Sequence, residues 1–443
     1  MRPSRATGQL LDYQRTHRSP VWAVRPIFRP AETQPKRVRA RLARVRARLV
    51  VAAALVAAFL LPGAAAASLS SALAHALRVP HVSLASTGAV VLDLDTGATI
   101  YSRNANLSLL PASNEKLAVT YAALTALGPD FTIETDVLGE GQQSGATWQG
   151  SLVLKGYGDP TLSSADLAAL ARQVRATGIT HVTGSILGDE SWFDSRRTAL
   201  GWKAAFYIYE SPPLSALIVD RGVVGRYTSH DPTLAAAQLF RSALVRAGVR
   251  VGGAAAHGIA NDQAVPIGEV DSPPLSLIVH WMDRVSDNFT AEMLVKELGA
   301  VQADHGTTAA GVGVITGLLA QAGVPLAGVR LVDGSGLSLL DRLTPTAVAS
   351  LLTTMWNDTE VRLELLSSLP VAGRTGTLAD RMRRSAATGV VRAKTGTTSN
   401  ASALSGFAGD RYVFSILQNG FPLAWSWARV AQDRFATLLA AAQ

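Results

Sequence analysis

Along the chain the rhythm of apolar and polar positions changes several times. Gly88 to Ser102 reads GAVVLDLDTGATIYS, two alternating runs joined at Asp95-Thr96-Gly97, which predicts a β-hairpin. Leu117, Tyr121 and Leu124 then recur at helical spacing, and Pro111 with a Ser at the expected cap predicts a helix opening around Ser113. From about Thr132 to Val270 the pattern turns to short β-rich runs broken by Gly, Asp and Pro, such as SLVLKGYGDPTL and VTGSILGDESWF, the texture of an inserted module. Helical rhythm returns at Pro274 to Ala300, at Thr307 to Gly323 and at Thr344 to Trp356. Two strands, Ala401 to Ala408 and Arg411 to Gln418, turn at Gly409-Asp410, and an amphipathic helix from Trp425 to Ala441 ends the chain. Trp281, Trp356, Trp425 and Trp427 fall in helical patterns and are assigned to the core. This order predicts an α+β fold: an antiparallel sheet covered by helices, formed by residues 68–131 and 271–443 and interrupted by a β-rich inserted domain at 132–270.

Ahead of this body, Arg37 to Arg48 is followed by the apolar run Leu49 to Leu61, then Pro62-Gly63 and Ala64 to Ala67. Positive, apolar, helix-breaking and small is the order of an export signal. A spanning helix needs about 20 apolar residues, and even 49–67 reaches only 19, so a cleaved signal peptide is favoured over membrane attachment through that segment. Residues 1–48, basic and interrupted by Pro, read as a tail without folded function. Positive charge before the apolar run places the body outside the cytoplasm.

Composition sharpens the picture. Of 443 residues 48% are hydrophobic and 17% charged, which suits a sizeable core and excludes a disordered chain. The net charge of +8 would suggest a nucleic-acid partner, but 13 of the 41 basic residues and two of the 33 acidic ones lie in residues 1–48. The remainder is mildly acidic, so no nucleic acid is expected. There is no Cys, which excludes a thiol nucleophile, a thiolate metal site and disulfides. The eight His show no metal-ligand spacing, which disfavours a zinc peptidase and a Ser-His-Asp triad, and no metal or cofactor is expected. Lys occurs at six positions only, 36, 116, 155, 203, 296 and 394, the other basic residues being Arg. Each Lys is therefore informative, because an amine can be driven neutral by its surroundings and a guanidinium cannot.

Three strings carry candidate chemistry. Ser113-Asn114-Glu115-Lys116 is the single Ser-x-x-Lys, Ser286-Asp287-Asn288 lies between helices, and Lys394-Thr395-Gly396-Thr397 opens a strand near the end. Residues three apart at a helix start share a face, so the Lys116 amine can reach the Ser113 hydroxyl. A Ser hydroxyl attacks an amide only when a neighbour takes its proton, and a neutral amine can do so if its pKa falls. A second cation, Lys394, would lower it while offering charge to an anionic substrate group. The Ser113 backbone N–H is a natural oxyanion donor.

These strings, in this order, resemble the penicillin-recognising serine hydrolases. The nearer likeness is to the D-alanyl-D-alanine carboxypeptidase/endopeptidase family of low-molecular-mass penicillin-binding proteins, the S13 peptidases. It extends to Leu110–Lys116, Gly158–Leu162, Ser286–Glu292, Asp333–Ser338 and Arg392–Gly396, covering roughly Val82 to the carboxyl end. The resemblance implies a β-lactamase/transpeptidase-like domain and a serine D,D-peptidase acting on peptidoglycan stem peptides through an acyl-enzyme on Ser113, with β-lactams as inhibitors. In the family's scheme Lys116 is the acylation base, Ser286 relays a proton to the leaving amine, and Asn288 holds the substrate amide and the lysine. Lys394, Thr395 and Thr397 hold the terminal carboxylate, with Gly396 between them, and the Thr397 N–H is the second oxyanion donor. The departure is in size: Ser113 and Ser286 stand 173 residues apart, fewer than in other members, which implies a trimmed or missing insertion.

The chain also holds lookalikes of these strings. Ser102-Arg103-Asn104 and Arg374-Thr375-Gly376-Thr377 read as structural, as does Gly158-Asp159-Pro160; Asp333–Ser338 reads as a Gly-rich turn, with lining the cleft as its alternative. Gly311-Val-Gly-Val-Ile-Thr-Gly has the wrong spacing for a dinucleotide fingerprint and reads as helix packing. Two rival functions remain: a β-lactamase or esterase on the same fold, against which stands the lack of a Glu-x-x-Leu-Asn string, and a catalytically silent wall-binding protein, against which stand the intact Ser113, Lys116, Ser286 and Lys394. The chain does not separate carboxypeptidase from endopeptidase action.

Overall fold

The hairpin motif near the start forms as its pattern dictates. In the computed structural model, which describes residues 68–443, β1 (Thr87–Asp93) and β2 (Thr99–Arg103) pair antiparallel. Their turn is fixed by Asp93 Oδ1, which accepts the N–H groups of Asp95 and Thr96. A 3₁₀ turn at Ala112–Glu115 leads into α1 (Lys116–Ala126). Next come β3 (Glu134–Ser144), β4 (Thr147–Gly156), α2 (Ser164–Ala176), β5 (Ile186–Asp189), α3 (Pro232–Arg246), β6 (Ala255–His257) and β7 (Val265–Asp271). They are followed by α4 (Leu275–Val285), α5 (Asn288–Ala303), α6 (Thr308–Gln321), α7 (Pro345–Asn357) and α8 (Thr359–Ser368). The chain ends with β8 (Val391–Thr397), β9 (Ala401–Ala408), β10 (Tyr412–Asn419) and α9 (Trp425–Ala441). The tail and signal expected at 1–48 and 49–67 lie outside the described residues.

Strands from both ends of the described chain build one antiparallel sheet, ordered β8-β9-β10-β1-β2. Every residue of β9 and β10 is buried, because helices cover both faces. Period-two alternation sorts the side chains. Ala403, Phe407, Val413 and Leu417 pack with α1 and α4–α8, while Ala89, Val91, Leu404, Phe414 and Ile416 pack with α9 and the helical residues 68–76. Burying a side chain of this size contributes about 1.5–3 kcal/mol, so the sheet is a rigid platform for its edge strand, β8. A second, mixed sheet takes the order β6-β5-β4-β3-β7, with two-residue strands at its margin, all within residues 134–271.

The structure differs from the sequence reading in several places. Pro111 precedes the first turn and no side chain caps it, so Ser113 lies inside the turn rather than at its cap. Helices α2, α3 and α8 carried no expectation, although α2 has a full capping box, Ser163 with Asp166. Trp281, Trp425 and Trp427 are exposed, not core, since they stand on the outward sides of amphipathic helices; Trp356 alone packs against the core. Gly311 is a packing glycine within α6: a Cβ there would lie 1.8 Å from the Val295 carbonyl oxygen of α5.

Candidate active site

The helical rhythm from 274 to 300 is broken once, and the break is a candidate functional element. Ser286 ends α4 in the left-handed conformation at φ 63°, unusual for a residue with a Cβ. Asp287 then starts α5 by accepting the Thr290 N–H at 2.8 Å. One residue stops a helix, the next restarts it, and Asn288 follows as the first helical residue. Arg221, from the segment carrying the second sheet, grips Asp287 through two bonds of 3.1 and 2.8 Å. Burial raises the Asp287 pKa, but the bonds and charge of Arg221 and the cap bond outweigh it and hold the carboxyl below its ordinary value.

The 3₁₀ turn brings Ser113 to this break. Lys116 Nζ stands 3.1 Å from Ser113 Oγ, 2.9 Å from Asn288 Oδ1 and 2.7 Å from the Ser335 carbonyl oxygen. Asn288 Nδ2 donates to the Glu210 carbonyl oxygen at 3.0 Å, which orients the amide so that Oδ1 faces the lysine. Two of the three N–H directions of Lys116 are therefore committed to oxygens that can only accept, and the third points at Ser113. In the ammonium this direction holds a proton; in the neutral amine it holds the lone pair.

Burial moves Lys116 towards neutrality, down to about 8, against the opposing pull of Asp333, Asp287, Glu292 and Asp283. Lys394 is pushed to about 7 by burial and by the charge of Lys116, with Asp283 acting the other way. Burial is the leading cause at both amines, whereas the sequence pointed to a second cation as what lowers Lys116. Lys394 is completely buried, and its Nζ lies 2.7 Å from Ser286 Oγ and 3.1 Å from the Thr395 carbonyl oxygen. The arrangement holds two Ser–Lys pairs, 113 with 116 and 286 with 394.

Strand alternation explains the remaining placements. Lys394 and Gly396 face the Ser113 turn, and Asn114 Nδ2 ties that turn to the strand through the Lys394 carbonyl oxygen at 3.0 Å. A Cβ on Gly396 would lie 3.0 Å from both Pro111 O and Ser113 N, so glycine permits the close approach of strand and turn. Thr395 and Thr397 fall on the other side. Thr395 Oγ1 donates to Thr377 Oγ1 at 2.7 Å, and Thr397 Oγ1 donates to the Gly396 carbonyl oxygen at 2.8 Å. Ser113, Ser286, Asn288, Thr395, Gly396 and Thr397 line one cleft of about 420 Å³. All eight residues singled out by the sequence meet here, with Lys116 and Lys394 beneath the lining.

Other contributors were not among the residues assigned to the site. Thr377, from the Arg374–Thr377 lookalike taken as structural, lines the cleft. The turn at Asp333–Ser338 does so too, through Leu337, and supplies the Ser335 carbonyl that holds Lys116. Glu292 Oε1 positions that turn by accepting the N–H groups of Gly334 and Ser335 at 3.0 and 2.8 Å. Burial and Asp333 push the Glu292 pKa up to about 8, and burial with Asp333 and Glu292 raises that of Glu115 well above a carboxylate's ordinary value. Ser102-Arg103-Asn104 takes no part: Asn104 Nδ2 donates to the Leu84 and Thr87 carbonyl oxygens.

A fully formed hydroxyl–amine pair beside a second one can acylate and deacylate a serine. Comparison with known proteins agrees with this chemistry. Residues 69–230 and 225–442 match the D-Ala-D-Ala carboxypeptidase 3 (S13) family. The chain is 34% identical to a D-alanyl-D-alanine carboxypeptidase of Actinomadura sp. (strain R39), across 82% of this chain and 83% of that one. It is 32% identical to Carboxypeptidase DacB of Mycolicibacterium smegmatis, across 84% and 83%. Its fold is similar to that of penicillin binding protein 4 (dacB) from Haemophilus influenzae, with a TM-score of 0.73 at 22% identity, covering 83% of this chain and 97% of the other.

Proposed function

The chain belongs to the D-Ala-D-Ala carboxypeptidase 3 (S13) family and is a serine-type D-alanyl-D-alanine carboxypeptidase, and from that premise we propose that Ser113 is its nucleophile, Lys116 the base, and Ser286 with Lys394 the proton return. The observation that carries this reading is the two-point hold on Lys116 by Asn288 Oδ1 and the Ser335 carbonyl, which leaves its third N–H or lone-pair direction on Ser113 Oγ at 3.1 Å.

Neutral Lys116 takes the Ser113 proton as Oγ bonds to the carbonyl carbon of the penultimate D-Ala. Protonated Lys394, through the Ser286 hydroxyl, gives a proton to the leaving nitrogen as the C–N bond breaks. Lys116 then gives its proton up to solvent and Lys394 takes one back, which restores the starting protonation. Water attacks the ester, Lys116 takes one of its protons, and that proton returns to Ser113 Oγ as the ester C–O bond breaks and the acid product leaves. Asn288 holds the lysine and the substrate amide, and Thr395, Gly396 and Thr397 form the wall against which the terminal residue lies. The substrates are peptidoglycan stem peptides, and β-lactams acylate the same serine because they present a strained amide beside a carboxylate. Peptidoglycan is assembled outside the plasma membrane, which places the enzyme in an extracytoplasmic compartment. Among the described residues no helix is long and apolar enough to cross a membrane. In this reading residues 132–270 are an insertion whose Glu210 and Arg221 brace the Ser286–Asn288 break.

The productive state needs Lys116 neutral and Lys394 protonated. Below about 7 both amines hold protons, above about 8 neither does, and between those values the pair shares one proton, held mainly on Lys116, with the productive arrangement its minor tautomer in a fixed ratio. The second-order rate of Ser113 acylation by a labelled penicillin, followed from pH 5 to 10, is therefore expected to be bell-shaped with its maximum between those values. A rate independent of pH, or one rising steadily to pH 10, would contradict the assignment of the two amines.

A further inference from the structure

Resting on that reading, the site raises a question about the substrate's carboxylate. Lys394 is completely buried, does not line the cleft, and is engaged by Ser286 and the Thr395 carbonyl. The hydroxyls of Thr395 and Thr397 already donate within the protein, to Thr377 and to Gly396. Two guanidinium groups do line the cleft, those of Arg381 and Arg429. Arg381 is committed: it bonds Asp433 at 3.0 and 2.7 Å and Gln432 at 3.1 Å. Arg429 has no ion pair among the described residues. It lies one turn into α9, stacks on the Trp425 ring at 4.6 Å, and donates from one terminal nitrogen to Thr397 Oγ1 at 3.2 Å. Its Nε is buried without a hydrogen-bond partner. Of the acids along the cleft, Asp380 is paired with Arg383, and Glu210 makes no ion pair among the described residues.

We propose that Arg429 is the cation that recognises the carboxylate of the leaving residue, reading it across Thr397, while Lys394 serves proton transfer behind the strand. A guanidinium offers a planar pair of N–H donors that matches a carboxylate, and stacking on Trp425 holds that plane in place. Burial and the like charge of Arg381 both disfavour the Arg429 cation, with Asp433 opposing them, so a bound anion offsets that cost. Alternation along β8 sets the geometry: Thr397 faces the side of the sheet that α9 covers, while Lys394 faces the nucleophile.

Two thioesters sharing an N-acyl-D-alanyl group test this, one leaving as thioglycolate, which bears a carboxylate, and one leaving as methanethiol, which does not. In R429Q, kcat/KM for the thioglycolate ester is expected to fall about 10- to 100-fold while that for the methyl thioester stays within about two-fold. R429K, which keeps the charge and loses the planar fork, is expected to recover part of the loss. Equal loss on both esters, or no loss on either, would overturn the proposal. Turnover of neither ester by the unaltered enzyme would overturn the parent reading, and this one with it.

Discussion

Replacing Lys116 with methionine is expected to lower the rate of Ser113 acylation by about 10³- to 10⁴-fold, the upper range for loss of a positioned general base. Methionine occupies similar volume and removes an ammonium from a position with no solvent exposure, so the fold is expected to survive. Asn288 Oδ1 and the Ser335 carbonyl each lose a donor, at about 1–3 kcal/mol apiece. A thermal melt separates that cost from the chemical one. Lys116→Arg would not restore the rate, because a guanidinium keeps its proton at any pH the protein tolerates. D-Ala release from an acyl-D-Ala-D-Ala peptide and penicillin labelling should fall together; a variant retaining more than a tenth of either rate would remove Lys116 from the mechanism.

Replacing Ser286 with alanine has the next largest expected effect, and its signature lies in the leaving group. The 2.7 Å contact between Lys394 Nζ and Ser286 Oγ makes the hydroxyl the last carrier of a proton to the departing nitrogen. An amine cannot leave as an anion, so peptide cleavage is expected to slow by about 10²- to 10³-fold. A thiolate leaves without a proton, so thioester cleavage should change far less. Alanine can also keep the left-handed conformation at this position, at the cost any Cβ carries. Equal losses on peptide and thioester would mean that Ser286 only positions the substrate.

How much of this was legible in the chain depends on the range over which each feature is encoded. The hairpins and most helices of the main sheet are local patterns, and Ser113–Lys116, Ser286–Asn288 and Lys394–Thr397 are short strings whose order along the chain already suggested one site. Pairings between strings were less accessible. Nothing local says that Lys394 turns inward to Ser286, or that burial rather than a second cation dominates at Lys116. The hold on Lys116 comes through the Ser335 backbone carbonyl, which any residue type would supply, so no side-chain pattern marks it. Glu292, which fixes that carbonyl's turn, reads in sequence as one more charged residue of α5. Arg429 is one of 35 arginines and sits in a helix that reads in sequence only as amphipathic. Its position at the cleft follows from the register of α9 against β8, a tertiary fact. The exposed tryptophans show the converse error, since helical periodicity marks a face but does not say that the face is covered.

The central claim is that one serine carries the acyl group, and mass spectrometry of the penicillin-treated protein tests it most directly. The account predicts a single adduct of the penicilloyl mass, mapped after proteolysis to the peptide containing Ser113. It also predicts that Ser113→Ala shows neither this adduct nor D-Ala release. An adduct on another residue, or continued release of D-Ala by the Ser113→Ala protein, would contradict it.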